Sequence, residues 1–335
     1  MLSEKSRKSI DEKKEIVVGV DVGGTNTVVA VTDLNNNILF QNEFKTDPEK
    51  GVENFFLRLS FLIKNEYEKL KSKYVISGIG LAAPSANYLK GTIESPANLK
   101  WGNVNLVEMM RKHFDFPIKV LNDANAAAIG EHSFGAARGM NNFIVLTLGT
   151  GLGSGIFIDG HLLQGENGLA GELGHTNVEP DGRECTCGRD GCLETYVSAN
   201  GLKRSVFYFL AISNELSELR DISYNELTGK KISDLARKND PIALKAFSYT
   251  ADILARALAN TVTYFNPEAI ILFGGLADSN ELLLDPLNIY FEKYLLNIYK
   301  GKIKILKSEL QSGRSAVLGA CSYVRKTLGE NLVAV

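Results

Sequence analysis

The sequence predicts an α/β fold made of two similar halves. Apolar β-branched runs alternate with segments of helical periodicity, and one layout occurs twice. That layout is a strand, a glycine turn and a second strand, found in IVVGVDVGGTNTVVAVTD (16–33) and FIVLTLGTGLGSGIFIDG (143–160), each followed by a short third apolar run. With 335 residues the chain is longer than one core usually serves. We therefore expect two lobes with a cleft between them.

The predicted elements alternate along the chain, so helices should cover the sheets. Buried strands are expected at 16–20, 27–32, 75–81, 118–121, 143–148, 155–158 and 269–273, and helices at 52–70, 104–114, 232–237 and 241–265. The expected domains are a charged extension at 1–15, an N-terminal lobe at 16–122 with a C-terminal helix at 316–330 packing back on it, and a C-terminal lobe at 123–315 with a cysteine-rich loop at 175–192.

Composition argues against several classes of protein. Hydrophobic residues make up 44% of the chain and charged residues 23%, with a formal net charge of -2, so no basic surface for nucleic acid is indicated. No apolar run is long enough to cross a bilayer, and the opening residues lack the apolar segment of a secretion signal. The charged extension is also too short for a helix-turn-helix domain. We expect a cytoplasmic protein without nucleic-acid or membrane partners.

Both glycine turns contain more than a hairpin requires. A tight hairpin explains the glycines, but not the acid Asp21 before the first turn or the hydroxyls Thr25 and Thr150 within the turns. Glycine backbone allows N–H groups to approach phosphate oxygens, and a carboxylate can hold hydrated Mg²⁺. The standard nucleotide loops fit less well, because each turn leads into a strand rather than a helix. The turns therefore predict phosphate binding.

Two further strand ends are candidate site elements. In EAIILFGGLAD a buried strand stops at Gly274-Gly275, which is either a simple strand-to-helix turn or a surface for an adenosine. In PIKVLNDANAAAIGE a strand ends at Asn122-Asp123 and passes into a helix. Asp123 can be the N-cap of that helix, and, compatibly with that role, a base that accepts the proton of an attacking hydroxyl. A carboxylate at the carboxyl end of a strand points toward the crevice where α/β proteins bind ligands.

A dense cluster of metal-binding residues lies in GELGHTNVEPDGRECTCGRDGCLE. His175, Cys185, Cys187 and Cys192 form a complete tetrahedral zinc set. The alternatives are reduced thiols without metal, or a disulfide in a secreted protein. A closed four-ligand site is structural, so the zinc should shape the loop. Cys321 lies in a helical pattern and is expected in the core.

Polar residues flank the cysteine-rich loop. Glu172, His175 and Glu194 bracket it, and Asn98 lies in the polar segment SPANLKW. Such residues are usually solvated surface. A zinc-stiffened loop with carboxylates is, however, a suitable frame for a polyhydroxylated ligand, whose hydroxyls pair with acids and amides.

These motifs resemble the ROK family of sugar kinases and repressors over nearly the whole chain. The shared motifs are D-x-G-G-T, the Asn-Asp pair, G-T-G-x-G, E-x-G-H and C-x-C-G-x-x-G-C-x-E, in the family's order. The resemblance implies a two-lobed actin-like, hexokinase-like ATPase fold that binds ATP with Mg²⁺, and a homodimer. It implies Asp123 as the base and Asn98, Asn122, Asp123, Glu172, His175 and Glu194 as the sugar ligands. The implied ATP and Mg²⁺ residues are Asp21, Gly23, Gly24, Thr25, Asn26, Thr150, Gly151, Gly274 and Gly275.

The chain departs from the family pattern at two positions. Many members have lysine where Asn26 stands, and a frequent Pro-Gly turn near the sugar is Pro84-Ser85 here. The second difference bears on which hexose is preferred. The repressor branch also adds an amino-terminal DNA-binding domain, which is not expected in this chain.

The resemblance implies ATP-dependent phosphorylation of a hexose at its 6-hydroxyl. Glucose is the expected sugar, because acidic residues near carbon 2 suit a free hydroxyl that donates a hydrogen bond. The alternatives are a kinase for N-acetylmannosamine or N-acetylglucosamine, and a sugar-sensing protein without turnover.

Overall fold

The computed structural model describes residues 13–94, 96, 99–310 and 314–330, with the side chains of Gly329 and Glu330 excepted. It divides into two compact units, the first formed by the described residues within 1–126 and 316–330 and the second by those within 127–315. The domain bounds expected from the sequence, 16–122 and 123–315, stay a prediction.

The first unit contains a five-stranded sheet in the order β3-β2-β1-β4-β8. Its strands are β1 (Lys14–Val22), β2 (Asn26–Asp33), β3 (Ile38–Lys45), β4 (Tyr74–Ala83) and β8 (Ile118–Asn122). A small second sheet joins β5 (Ala86–Asn87), β6 (Thr92–Ile93) and β7 (Val104–Asn105). The helices are α1 (Val52–Leu70) and α2 (Leu106–Arg111), followed by α3 (Asp123–Phe134), in which this unit ends. The core of this unit includes Val18, Phe55, Leu59, Ile79 and Leu81, all fully buried.

The second unit contains a five-stranded sheet in the order β11-β10-β9-β12-β13. Its strands are β9 (Phe143–Leu148), β10 (Leu152–Ile158), β11 (His161–Leu162), β12 (Ala269–Phe273) and β13 (Lys304–Lys307). Its helices are α4 (Ala199–Ile212), α5 (Gly229–Arg237), α6 (Pro241–Phe265) and α7 (Glu281–Tyr294). The long helix α6 is buried along most of its length and forms much of this core.

Most predicted elements are present, and one helix is shorter than expected. The pattern at 104–114 predicts one helix, but Val104 and Asn105 form β7 and α2 begins at Leu106. The Asn105 side chain causes the late start, because it accepts a hydrogen bond from Glu108 N at 3.0 Å and so caps the helix. The same kind of cap, Thr228, starts α5 earlier than the apolar pattern at 232–237 indicates.

The last helix, α8 (Ser315–Glu330), packs against the sheet of the first unit. A Cβ built on Gly19 of β1 would lie 2.3 Å from Val317 O, and one on Gly80 of β4 would lie 2.2 Å from Ala320 O. The close approach of helix and strands therefore depends on glycine at both strand positions. Cys321 is buried in this contact, which confirms its expected place in the core.

Among the described residues, no helix combines the length and apolar character required to span a membrane.

Candidate active site

The carboxyl ends of three parallel strands meet at one edge of the first sheet. Asp21 of β1 lies opposite Ala82 of β4, and Ala83 of β4 lies opposite Asn122, the last residue of β8. Asp21 is therefore near Asp123, the residue after Asn122, and their charges interact. Burial, and then the charge of Asp123, raise the pKa of Asp21 to about 7. This edge is an acidic site that attracts protons or a cation.

Asp123 opens α3, but its neighbour caps the helix. Asn122 Oδ1 accepts hydrogen bonds from Ala124 N at 2.9 Å and Asn125 N at 3.2 Å. Asp123 accepts the N–H of Ala124, the next residue, at 2.9 Å. The alternative in which Asp123 is the N-cap is therefore wrong, because Asn122 performs that role. Burial raises the pKa of Asp123, against the lowering effect of the Ala124 N–H. A carboxylate with raised proton affinity suits a general base.

The first glycine turn joins β1 to β2 and is fixed by a threonine. Gly23 N–H donates to Asn26 O at 3.1 Å, and Gly24, Thr25 and Asn26 form the accessible tip. Thr46 Oγ1 donates to Gly23 O at 2.7 Å, while Thr46 N–H donates to Thr25 O at 2.9 Å. Thr46 was not predicted from the sequence, because a single threonine after a strand carries no signal of a contact with a distant turn.

The second glycine turn joins β9 to β10 in the same way. Gly149 N–H donates to Gly151 O at 3.0 Å, and both Gly149 and Thr150 are exposed. In the first unit the acid Asp21 stands two residues before the first glycine of the turn, whereas the residue at that position here is Thr147. The turn therefore presents backbone and hydroxyl donors without a carboxylate just before it.

The Gly274-Gly275 turn lies beside this second turn. β12 runs parallel to β9, with Phe273 opposite Thr147, so the two strands end at the same edge. Gly274 has a φ of 105°, and a Cβ on it would lie 2.7 Å from Leu148 O. Only glycine fits this combination of left-handed backbone and close approach. The second unit thus brings together Thr150, Gly151, Gly274 and Gly275.

A cavity of about 480 Å³ opens between these turns and the helices of the second unit. Its lining includes Gly149 and Thr150 of the second glycine turn, Gly275, and two cationic side chains of α5, Lys230 and Arg237. The remaining lining residues are Leu148, Ala199, Leu202, Gly229, Ser233, Leu276, Asp278 and Ser279. The glycines were predicted from the sequence, but the contribution of α5 was not, since its amphipathic pattern is that of any surface helix. The size suits a small-molecule ligand.

The predicted metal residues lie together in the second unit. One ligand atom from each of His175, Cys185, Cys187 and Cys192 lies within 4.8 Å of the others. His175 Nδ1 is 3.7 Å from Cys185 Sγ, and Cys187 Sγ is 3.6 Å from Cys192 Sγ. With zinc–sulfur bonds of ~2.3 Å, the edge of a tetrahedron is about 3.8 Å. The four side chains therefore fit a tetrahedral ion of this size.

Two thiols of the metal loop, those of Cys187 and Cys192, have pKa values shifted in opposite directions. Burial acts to raise the pKa of Cys187, but hydrogen bonds from Arg189 and from the neighbouring cysteines lower it to about 6. Burial, together with the other thiols, raises the pKa of Cys192 to about 12. Arg189 also donates to His175 O at 2.6 Å, so it bridges the two ends of the loop. Arg189 was not among the functional residues predicted from the sequence.

The remaining predicted sugar residues fall in three places. Glu172 is exposed and directly precedes the turn that carries His175, and this segment is tied to β10 by Leu173 N–H donating to Ser154 Oγ at 3.2 Å. Glu194 follows the metal loop, and its Oε2 accepts the N–H of Leu152 at 2.8 Å. Asn98 lies outside the described residues.

The two matching sheets, each opening with a strand, a glycine turn and a strand, define the α/β class of the actin-like ATPases. The chain belongs to the ROK family, whose model matches residues 17–327. The resemblance expected from the motifs is confirmed, as is the fold.

Similarity to curated and solved relatives extends over more than nine-tenths of this chain. The glucokinase of Thermotoga maritima is 34% identical over 326 residues, which cover 93% of this chain and 98% of the relative. A ROK family glucokinase from Streptomyces griseus, solved in complex with glucose and AMPPNP, has a TM-score of 0.77 and 33% identity, covering 93% of this chain and 99% of that one. A xylose repressor of Caldicellulosiruptor bescii is 30% identical, covering 92% of this chain and 77% of the relative.

Proposed function

We propose that the protein is an ATP-dependent glucokinase, which transfers the γ-phosphoryl group of ATP to the 6-hydroxyl of glucose. The observation that carries the proposal is the carboxylate Asp123 at the end of β8, with its raised pKa and its acidic neighbour Asp21. The Thermotoga and Streptomyces glucokinases, similar over 93% of the chain, support the same reaction.

In the proposed reaction Asp123 accepts the proton of the 6-hydroxyl as the sugar oxygen bonds to the γ-phosphorus. The bond between that phosphorus and the β–γ bridging oxygen breaks, and ADP leaves. Burial suits Asp123 to this role, because a carboxylate whose pKa is raised is a stronger base near neutral pH. Mg²⁺ bound with ATP neutralises charge on the phosphate oxygens. Asp21 would hold that ion, and its interaction with Asp123 fits a site built for a cation.

The nucleotide is proposed to occupy the cavity of the second unit. Gly23, Gly24, Thr25 and Asn26 of the first unit would offer further donors to phosphate. In the second unit Thr150 and Gly151 would do the same, and the Gly274-Gly275 backbone would lie along the adenosine. Lys230 lines the same cavity and adds positive charge for an anionic ligand, whereas Arg237 there is paired with Glu281 at 3.1 Å.

The cysteine-rich loop is proposed to bind one structural Zn²⁺ through His175 and three cysteines. The tetrahedral spacing of their ligand atoms supports this ion, and four protein ligands leave no open position for catalysis. The sugar would then be held by Asn98, Asn122, Asp123, Glu172, His175 and Glu194. His175 would use Nδ1 for the metal and present its other nitrogen to a sugar hydroxyl.

Glucose is proposed over its 2-acetamido relatives because the candidate residues near carbon 2 are acceptors. A site built to accept a hydrogen bond from a hydroxyl loses several kcal/mol with an analogue that lacks it, roughly 10⁴-fold in the strongest cases. A steady-state panel should give the highest kcat/KM with glucose, lower values with mannose and glucosamine, and the lowest with N-acetylmannosamine and N-acetylglucosamine. Either acetamido sugar exceeding glucose would overturn the substrate assignment.

The 30% identity to a xylose repressor supports a second candidate function, that of a sugar-sensing protein without turnover. A protein of that kind would bind a sugar without releasing ADP. An ADP-release assay with the hexose panel distinguishes the two, since sugar binding without ADP release would exclude the kinase. We also propose that the protein is a cytoplasmic homodimer, which light scattering on purified protein would check for its oligomeric state.

A further inference from the structure

The carboxylate of Glu194 reaches back to the second glycine turn. Its Oε2 accepts the N–H of Leu152, the first residue of β10, at 2.8 Å. The same oxygen fills the space beside Gly151, where a Cβ would lie only 2.3 Å from it. A side chain that follows the metal loop therefore forms one wall of the turn.

The backbone around Glu194 holds the other end of the turn. Ser198 Oγ donates to Glu194 O at 2.8 Å, and Ala199 N–H donates to Gly149 O at 2.9 Å. The turn from Gly149 to Leu152 is thus bonded at both ends by one short segment, 194–199. That segment begins two residues after the candidate metal ligand Cys192, so the metal loop and the turn share a support.

We propose that Glu194 is a positioning residue for the nucleotide turn as well as a sugar ligand. Its Oε2 holds the Leu152 amide, while Oε1 has no hydrogen-bond partner among the described residues and remains available to a sugar hydroxyl. The inference rests on the proposed function. A sugar bound to Oε1 fixes the orientation of the carboxylate and so orders the turn, which predicts that sugar and nucleotide strengthen each other's binding.

Two substitutions separate the roles of the two oxygens. Glu194→Gln keeps an oxygen acceptor for the Leu152 amide, so the Kd for Mg·ADP without sugar should stay within about twofold, while the Kd for glucose rises about tenfold. Glu194→Asp is one methylene shorter and loses the hydrogen bond from the Leu152 amide, so the Kd for Mg·ADP should rise about tenfold. This effect does not require Glu194 to contact the nucleotide. Glu179→Gln is the matched control, because Glu179 pairs with Arg256 instead of the turn.

Hydrogen exchange of the peptide containing 149–153 provides a readout that does not depend on activity. Exchange should accelerate in Glu194→Asp and stay at the wild-type rate in Glu194→Gln, with zinc content unchanged in both. Equal nucleotide affinity and exchange in wild type and Glu194→Asp would overturn the proposal, as would an equal loss of nucleotide affinity in both variants.

If Glu194→Asp also loses metal, Gly151→Ala decides the question. Its new Cβ should weaken Mg·ADP binding in wild type but much less in a Glu194→Ala background, because the two groups compete for one space. Independent effects of the two changes would overturn the proposal. The proposed kinase function fails separately, if wild-type protein binds glucose and Mg·ADP but releases no ADP from ATP with any hexose.

Discussion

The two units share one sheet order but differ in where they place charge. When the strands of each five-stranded sheet are numbered in chain order, both sheets have the spatial order 3-2-1-4-5. In both, a glycine turn joins strand 1 to strand 2. In the first unit acids stand at the ends of the first and fifth strands, Asp21 and Asp123. At the matching positions of the second unit stand Thr147, the second-to-last residue of β9, and Ser308, which follows β13.

This difference suits the two matching sheets to different proposed roles. Carboxylates that bind a cation or accept a proton would repel an anionic nucleotide if they lined every turn. The second glycine turn has backbone donors and no acid, and its cavity is lined by Lys230 and Arg237 of α5 together with one acid, Asp278. We infer that acid chemistry belongs to the first unit and nucleotide binding mainly to the second.

The largest expected effect comes from removing the acid at the end of β8. Asp123→Asn should lower kcat by roughly 10²-fold or more, the usual contribution of a general base. Sugar affinity and the thermal transition should change little, since Asn122 caps α3. Steady-state kinetics with glucose, calorimetric sugar binding and a melting curve check this. Near-normal turnover would remove Asp123 from the mechanism.

The second effect tests whether the metal loop supports the sugar site. Cys187→Ser should lose bound zinc and weaken glucose binding by at least about tenfold, because loss of one ligand releases the loop that carries His175. Elemental analysis and calorimetry measure both. Cys321→Ser is the control, as it makes the same chemical change in the core of the other unit and should keep the zinc. Full activity of metal-free protein would show that the loop does not support the sugar site.

The third effect is a pH dependence that only the first unit should cause. With the pKa of Asp21 at about 7, a proton must leave before Mg²⁺ binds, so the Kd for Mg·ADP should fall about tenfold between about pH 6 and pH 8. Asp21→Asn should weaken binding and flatten this dependence to that of the nucleotide alone. In ligand-free protein the raised pKa of Asp21 lowers stability as pH rises, because the buried carboxyl must lose its proton in the folded state. This contribution to the free energy of unfolding is lost as pH rises through about 7. Calorimetry across the pH range tests it, and parallel curves for both proteins would contradict the assignment.

The smallest effect concerns the turn after β4. Ser85 has a φ of 54°, a left-handed conformation that costs a non-glycine residue about 1 kcal/mol. Ser85→Gly should therefore raise the free energy of unfolding by up to about 1 kcal/mol, reduced by the entropy of the more flexible unfolded chain. Denaturant titration would show it, and Asp159→Gly is a comparison in the second unit, where φ is 50°. A loss of stability at Ser85 would mean that its side chain makes a contact worth more than the strain.

Local signals predicted the elements well where caps and turns are encoded nearby. The helix at 241–265 has the expected bounds because Asp240 caps it, Pro241 opens it and Asn266 ends it in a left-handed conformation. Both strand–glycine turn–strand units could be found because alternating burial and glycine are local patterns. The helix expected at 104–114 was too long, since the same apolar spacing continues through the cap at Asn105.

Contacts between distant segments could not be predicted in this way. Thr46 lies 23 residues from Gly23, and Glu194 lies 42 residues from Leu152. No periodicity connects such pairs, and each side chain has an ordinary surface interpretation. The cations of α5 were missed for the same reason. Candidate residues were identified by type and motif, whereas their partners depend on how loops pack.

The packing of α8 on Gly19 and Gly80 has a consequence for biosynthesis. The first unit is discontinuous in sequence, and its last helix is translated only after all of 127–315 has been made. The second unit is continuous, so it can complete its core while the sheet of the first still has one face uncovered. A nascent chain would therefore display two glycine-lined strands until α8 leaves the ribosome, and a premature stop before 316 would leave that face open to chaperones or aggregation.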